Sequence, residues 1–139
     1  MENQEKYNNL KKLVEKLKKS EDQKRKFEYI ICLGKKLKEP DSKILVEENK
    51  VKGCVSEVFV KANIKSGKLF WEGYSDALIT KGLLAFLITG LNALTPNEVV
   101  RIDKKIIQDT GLKASLTPSR SNGFLNILLK MQSQANEFL

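Results

Sequence analysis

The sequence between residues 57 and 73 constrains the fold most, because apolar side chains alternate on either side of a two-residue turn. We predict a strand over 57–65 and a hairpin turn at Ser66-Gly67. Four apolar residues share one side of that strand: Val58, Val60, Ala62 and Ile64. In the register that this turn sets, apolar residues face one another and Lys61 faces Glu72. A slip by one residue would reverse both faces, so the pattern predicts one register.

Helical periodicity before and after this hairpin predicts the rest of the fold. Apolar residues recur every three or four positions over about 4–19, 21–38 and 118–137, and they are nearly continuous over 77–93. The first helix carries Tyr7, Leu10, Leu13, Val14 and Leu17 on one face, and the last is expected to bury Phe124, Leu125, Leu128, Leu129 and Met131. Short helices are predicted near 96–103 and 105–109, and a short strand over 49–52. We therefore predict an α+β fold in one domain over 1–139, with a small three-stranded antiparallel sheet packed against several helices.

The amino-acid composition excludes several kinds of catalytic and metal site. The 139 residues include two cysteines and no histidine, which excludes Ser-His-Asp triads, Cys-His dyads and histidine metal sites within the chain. The net charge of +8 favours acidic partners. Residues 1–6 lack the apolar stretch of a signal peptide, and the apolar segment over 82–94 is too short to span a bilayer. We expect a protein of the cytoplasm, or of an organelle stroma if the source organism bears plastids, with no membrane partner.

Cys54 is the candidate for chemistry, because it directly follows Gly53 at the start of a predicted strand. Glycine allows a sharp turn beside the thiol, which would display the sulfur to a partner. The alternative is a buried and inert cysteine. Without histidine, an exposed thiol is suited to attack on a disulfide or persulfide sulfur, or to peroxide sensing. The second cysteine, Cys32, lies on the flank of a helix face, and we expect it to be a part-buried filler.

Two further candidate site residues, Asp76 and Arg120, lie at the starts of predicted helices. Ser75 or Asp76 is a predicted cap for the helix over 77–93, and Thr117-Pro118 begins the last helix. Arg120 lies in the first turn of that last helix, where a cation opposes the helix dipole. It is therefore either a surface arginine near an acidic neighbour, or an arginine that holds a loop or contacts an anion near the thiol.

Three stretches resemble the signature sequences of the SufE family: residues 51–58 (VKGCVSEV), 74–83 (YSDALITKGL) and 116–123 (LTPSRSNG). They occur in the family's order and spacing, and the resemblance extends over about 27–131. SufE proteins accept sulfur from pyridoxal-phosphate cysteine desulfurases during iron–sulfur cluster assembly. The resemblance also implies an α+β fold of the SufE/IscU type. One departure is Ser115, where some members have a histidine.

The resemblance assigns Cys54 as the persulfide acceptor, and it associates Gly53, Ser56, Asp76 and Arg120 with support of the acceptor loop or with docking. It implies a SufS-like desulfurase and an iron–sulfur scaffold complex as partners. The pyridoxal phosphate belongs to the desulfurase, so no cofactor and no metal is expected on this chain. The chain would be an activator and sulfur-transfer partner rather than a stand-alone enzyme. We expect Cys54 to tuck toward the apolar face of the sheet and to swing out on docking.

Other functions stay open at this point. A basic nucleic-acid-binding module would use the lysine-rich first helices, but these hold few aromatic residues for base stacking. A redox sensor would oxidise Cys54 and bridge it to Cys32. A SufE-type accessory for another sulfur-transfer pathway would share the same motifs.

Overall fold

The computed structural model describes residues 2–139, with side chains described from residue 9 onward. Tyr7, predicted on the apolar face of the first helix, therefore lies outside the described side chains. The elements in chain order are α1 (Glu2–Lys19), α2 (Gln23–Lys36), β1 (Val58–Lys65), β2 (Lys68–Ser75), α3 (Leu78–Leu91), α4 (Pro96–Val100), α5 (Lys105–Asp109) and α6 (Pro118–Asn136). Short 3₁₀ helices cover Ser42–Ile44, Glu47–Asn49 and Lys113–Ser115.

The hairpin has the register that the alternation predicts. β1 and β2 are antiparallel, with Lys61 opposite Glu72 and Ala62 opposite Trp71. Ser66 and Gly67 both have positive φ values, 53° and 76°, as a type I′ turn requires. On β1 the apolar side chains are buried near the base of the hairpin and become exposed toward the turn, where Ile64 is 44% exposed; its partner on β2, Leu69, stays fully buried.

The predicted third strand is wrong: the sheet of the described residues has two strands. Residues 47–49 form a 3₁₀ helix. Within the predicted strand over 49–52, Lys50 alone makes an isolated bridge, to Phe59. The reason lies in the free edge of β1, where the Gln134 side chain of α6 accepts a hydrogen bond from Ala62 N at 2.7 Å and donates one to Val60 O at 2.6 Å. A side-chain amide thus satisfies backbone groups that a third strand would otherwise pair.

α3 forms the centre of the molecule, as its nearly continuous apolar sequence predicts. α1, α2, β2 and α6 all pack against it, and most of its side chains are buried. α2 crosses it closely, because a Cβ at Gly82 would lie 2.4 Å from the backbone oxygen of Ile30. This glycine is therefore required by the approach of one helix backbone to another.

α6 joins the sheet edge to the loops at the other end of the molecule. Phe124, Ile127, Leu128 and Met131 are buried on it. Leu129, which we expected in the core, is 37% exposed. Its position follows from the helical period: Leu128 and Met131 set the buried face, and Leu129 lies about 100° away from Leu128 around the axis.

Candidate functional site

Cys54 lies in the loop between the second 3₁₀ helix and β1. The chain turns at Gly53, whose φ of +83° is in the left-handed region that favours glycine. The Cys54 side chain is half-buried, and its Sγ lies 3.8 Å from the carbonyl oxygen of Gly123 on α6. Neither sequence interpretation describes this fully, because the thiol is neither enclosed in the core nor displayed in solvent. It contacts Gly123 of α6 and packs against the hydrophobic core; its expected position toward the apolar sheet face stays a prediction.

The thiol borders a cavity of about 310 Å³ between three parts of the chain. The loop contributes Cys54, Val55 and Ser56, α3 contributes Thr80, and the start of α6 contributes Thr117, Ser119, Arg120 and Gly123. Val55, directly beside the thiol, is 88% exposed. The cavity is thus open to solvent, since Thr117, Ser119 and Arg120 are also exposed.

Hydrogen bonds hold this loop at both ends. At its start, Asn126 Nδ2 donates to Gly53 O at 3.3 Å. At its end, the hydroxyls of Ser56 and Thr80 lie 3.4 Å apart. Residues 53–56 are therefore attached to α6 on one side and to α3 on the other.

Asp76 closes the base of the loop rather than capping α3. Its Oδ1 accepts from Glu57 N at 3.0 Å, and its own N–H donates to Glu57 O at 3.3 Å. The N-cap of α3 is Ala77, whose N–H donates to Ser75 Oγ. Asp76 thus fixes the point where the loop of residues 53–56 enters β1.

Arg120 lies in the first turn of α6, where Thr117 Oγ1 caps the helix by accepting from Arg120 N at 3.4 Å. The side chain is exposed at the rim of the Cys54 cavity. Among the side chains that the structure describes, no carboxylate lies within ion-pair distance of its guanidinium. The geometry therefore favours the interpretation in which Arg120 faces the space beside the thiol.

Burial controls the ionisation of Cys54. Partial burial of the thiol raises its pKa above the ordinary value, because the thiolate loses hydration. The Gly123 carbonyl oxygen, 3.8 Å from the sulfur, is placed to accept a hydrogen bond from the protonated thiol. The thiol in this conformation is therefore mainly protonated at neutral pH.

The five residues predicted for the site meet in one place. Cys54, Ser56 and Arg120 line the cavity, while Gly53 and Asp76 hold the loop. Their functional roles stay predictions. Cys32 is exposed on α2, so its prediction as a part-buried filler is wrong.

Three contributing residues were not predicted: Thr80, Gly123 and Asn126. A glycine in the second turn of a helix costs stability, which was an available signal that Gly123 serves a close approach. A Cβ at that position would lie 3.3 Å from Cys54 Sγ. Ser115, noted in the sequence as a departure from the SufE pattern, contacts Gln23 and is not among the described residues that line the cavity.

Comparison with known proteins identifies the family of this chain. The family model "SufE: Fe-S metabolism associated domain" matches residues 11–135. The chain belongs to the SufE family. An uncharacterized SufE-like protein of Synechocystis sp. is 46% identical over 130 residues, which cover 94% of this chain and 82% of that protein. The family resemblance carried by the three sequence stretches is therefore confirmed.

Two further relatives are longer than this SufE-family chain. SufE-like protein 1, chloroplastic/mitochondrial, of Arabidopsis thaliana is 39% identical over 91% of the chain, which spans 34% of that protein. The cysteine desulfuration protein SufE of Plasmodium falciparum is 33% identical over 77% of the chain, which spans 45% of that protein. The chain thus matches less than half the length of these two proteins.

A solved structure shares the fold of this SufE-family chain. The solution structure of a hypothetical protein from Thermus thermophilus superposes with a TM-score of 0.81, at 24% identity, over 93% of this chain and 94% of that one. It supports the α+β architecture. Within residues 2–139, no helix is long and apolar enough to cross a membrane. No group of three or more acidic or cysteine side chains among the described residues is arranged to hold a metal ion.

Proposed function

We propose that this SufE-family chain is a sulfur acceptor in iron–sulfur metabolism, with Cys54 as the residue that takes the sulfur from a cysteine desulfurase. The observation that carries this proposal is the half-buried Cys54 thiol beside an open cavity, on a loop that turns at Gly53. The family model names iron–sulfur metabolism, and a relative at 33% identity is named for cysteine desulfuration. Both support sulfur transfer as the class of reaction.

The proposed step is an exchange between sulfur atoms. The Cys54 thiolate attacks the terminal sulfur of a persulfide on the desulfurase, and a new S–S bond forms on Cys54. The S–S bond of the desulfurase persulfide breaks, and the desulfurase cysteine leaves as a thiolate. One sulfur atom moves and one S–S bond replaces another, so no external oxidant or reductant is needed.

The cavity would then shelter the transferred sulfur. Its volume of about 310 Å³ exceeds the space of one atom of this size several-fold. Thr80, Ser119 and Arg120 offer hydroxyl and guanidinium groups to a persulfide anion, since all three line the same space. We expect the sulfur to pass on to an iron–sulfur scaffold complex, and pyridoxal phosphate to belong to the desulfurase.

Because the pKa of Cys54 is raised, docking would serve to increase the fraction of thiolate. The resting thiol is mainly protonated, so it is poorly nucleophilic in the conformation described. Movement of the loop out of its seat on α6 would rehydrate the sulfur and remove the Gly123 carbonyl. The thiol would then ionise more readily where the persulfide is presented.

Intact-mass analysis after incubation with a cysteine desulfurase and cysteine tests the proposal. The wild-type chain is expected to gain about 32 Da for one added sulfur atom. Cys32→Ser is the matched control, because its thiol is exposed and lies on α2, and it should gain the same mass. Cys54→Ser should gain nothing and should fail to accelerate cysteine turnover. A mass increment on Cys54→Ser, or unchanged stimulation by it, would refute the proposal.

A further inference from the structure

One face of α6 contacts the loop of residues 53–56, which we call the acceptor loop because it carries the proposed sulfur acceptor. Asn126 Nδ2 donates to Gly53 O at 3.3 Å, and Gly123 presents its carbonyl oxygen to Cys54 Sγ at 3.8 Å. Residues three apart on a helix share a face, so these two contacts lie side by side. α6 therefore contacts both the thiol and the peptide group just before it.

The fit between Asn126 and Gly53 is close. A Cβ at Gly53 would lie 2.5 Å from Asn126 Nδ2 and 3.4 Å from its Cγ. The amide thus occupies the space that any other residue at this position would fill. Gly53 serves both the turn, at φ +83°, and the approach of the amide.

The two ends of the loop are held unequally. At the end that enters β1, Glu57 and Asp76 exchange two hydrogen bonds at 3.0 and 3.3 Å, and the hydroxyls of Ser56 and Thr80 lie 3.4 Å apart. At the α6 end there is one N–H···O hydrogen bond, from Asn126 to Gly53 O at 3.3 Å, and one thiol contact, of Cys54 Sγ with Gly123 O at 3.8 Å. The loop can therefore leave α6 while its other end stays attached, with Gly53 as the hinge.

We propose that Asn126 is a positioning residue that keeps the acceptor loop seated on α6 and thereby sets how far Cys54 is exposed. The inference rests on the proposed function, because retention of the loop matters only if Cys54 must reach another protein. Asn126 contacts no reacting atom and acts through Gly53 O. Its loss removes one hydrogen bond, which is expected to raise the population of the unseated loop about fivefold, or about 1 kcal/mol.

The test measures alkylation of Cys54 by iodoacetamide in the isolated chain, in a Cys32→Ser background so that one thiol reports. Asn126→Ala should react about fivefold faster than the parent. The apparent pKa of Cys54 in the pH–rate profile should also fall, because an unseated thiol regains hydration. Asn126→Gln keeps an amide donor and should restore part of the protection.

Asn122→Ala is the matched control. Asn122 is exposed one turn earlier on α6 and lines a different cavity, beside Lys104 and Lys113. The control should alkylate at the parent rate. Equal rates for Asn126→Ala and its parent, or an equal increase in Asn122→Ala, would overturn the proposal.

Two further outcomes are decisive. Faster alkylation of Asn126→Ala with an unchanged pH–rate profile and a lower unfolding temperature would mean general loosening, and it would overturn the positioning role. If Asn126→Ala does not fold, Asn126→Asp replaces it, because a carboxylate of the same shape cannot donate to Gly53 O and the same acceleration is expected. None of these assays uses a desulfurase, so a failure of sulfur transfer to Cys54 would be recognised separately by intact mass.

Discussion

At the scale of single residues, the environment of Cys54 sets both its reactivity and a pH-dependent contribution to stability. Partial burial raises the pKa of the thiol in the folded chain, and unfolding restores its ordinary value. A group whose pKa is higher in the folded state contributes stability that is complete below the unfolded pKa. That contribution is lost as the pH rises through the folded pKa.

Wild-type protein should therefore lose stability in alkali relative to Cys54→Ser, which has no titrating group at this position. The free energy of unfolding, measured in urea under reducing conditions, should fall more for the wild type between about pH 7 and about pH 10. All other ionisable groups are common to the two proteins, so their effects cancel in the comparison. An equal change in the two proteins would contradict the burial of the thiol.

At the scale of elements, α6 stabilises the sheet and also carries the site. Gln134, near its C-terminal end, pairs with the free edge of β1. Gly123 and Asn126, nearer its start, contact the loop of residues 53–56, which leads into the same strand. The edge of β2 is covered in a related way, since Leu69 exchanges backbone hydrogen bonds with Ala93 and Leu94.

Gln134→Leu should destabilise the fold. The leucine leaves Ala62 N–H and Val60 C=O without their partner in a buried place, and each unsatisfied group costs about 1–3 kcal/mol. We expect the free energy of unfolding to fall by about 2–4 kcal/mol in urea titrations. Ser133→Ala, at an exposed neighbouring position, is the control and should change it by less than about 0.5 kcal/mol. A loss as small in Gln134→Leu as in the control would show that water replaces the amide.

At the scale of the whole molecule, charge is distributed unevenly. Residues 9–38 hold eleven lysine and arginine residues against four acidic ones, so they carry +7 of the net charge of +8. Among the described side chains there, Arg25 and Asp22 form an exposed ion pair at 3.9 Å, which contributes little stability. We therefore expect repulsion between the cations of α1 and α2 to exceed the attraction within this ion pair.

Added salt should stabilise this protein. At about 0.1 M sodium chloride, the repulsion between exposed charges more than about 10 Å apart is largely screened. The unfolding temperature should therefore rise between low and moderate ionic strength. The double variant Lys12→Gln/Lys19→Gln should show a smaller rise, because both residues are exposed on α1 within the basic segment. Lys65→Gln/Lys68→Gln, at the hairpin turn, is the matched control and should keep a rise closer to that of the wild type. A rise that is reduced equally in both variants would contradict a localised repulsion.

The sequence by itself determined the parts that depend on local chemistry. The register of the hairpin follows from alternation and from a turn that requires positive φ at Ser66 and Gly67. The central position of α3 follows from its continuous apolar sequence, and the family follows from three motifs in order. The same motifs contain Cys54, Ser56, Asp76 and Arg120, which the fold brings to one loop and its cavity.

Only the tertiary structure decided what fills the space between elements. Gln134 takes the place of a third strand because two polar atoms of one side chain reach two backbone groups 72 and 74 residues away. Asn126 and Gly123 contact the loop that carries Cys54 in the same long-range way, since their contacts span 73 and 69 residues. Local patterns report on neighbours within a few positions, and they hold no information on which distant backbone group a polar side chain will meet.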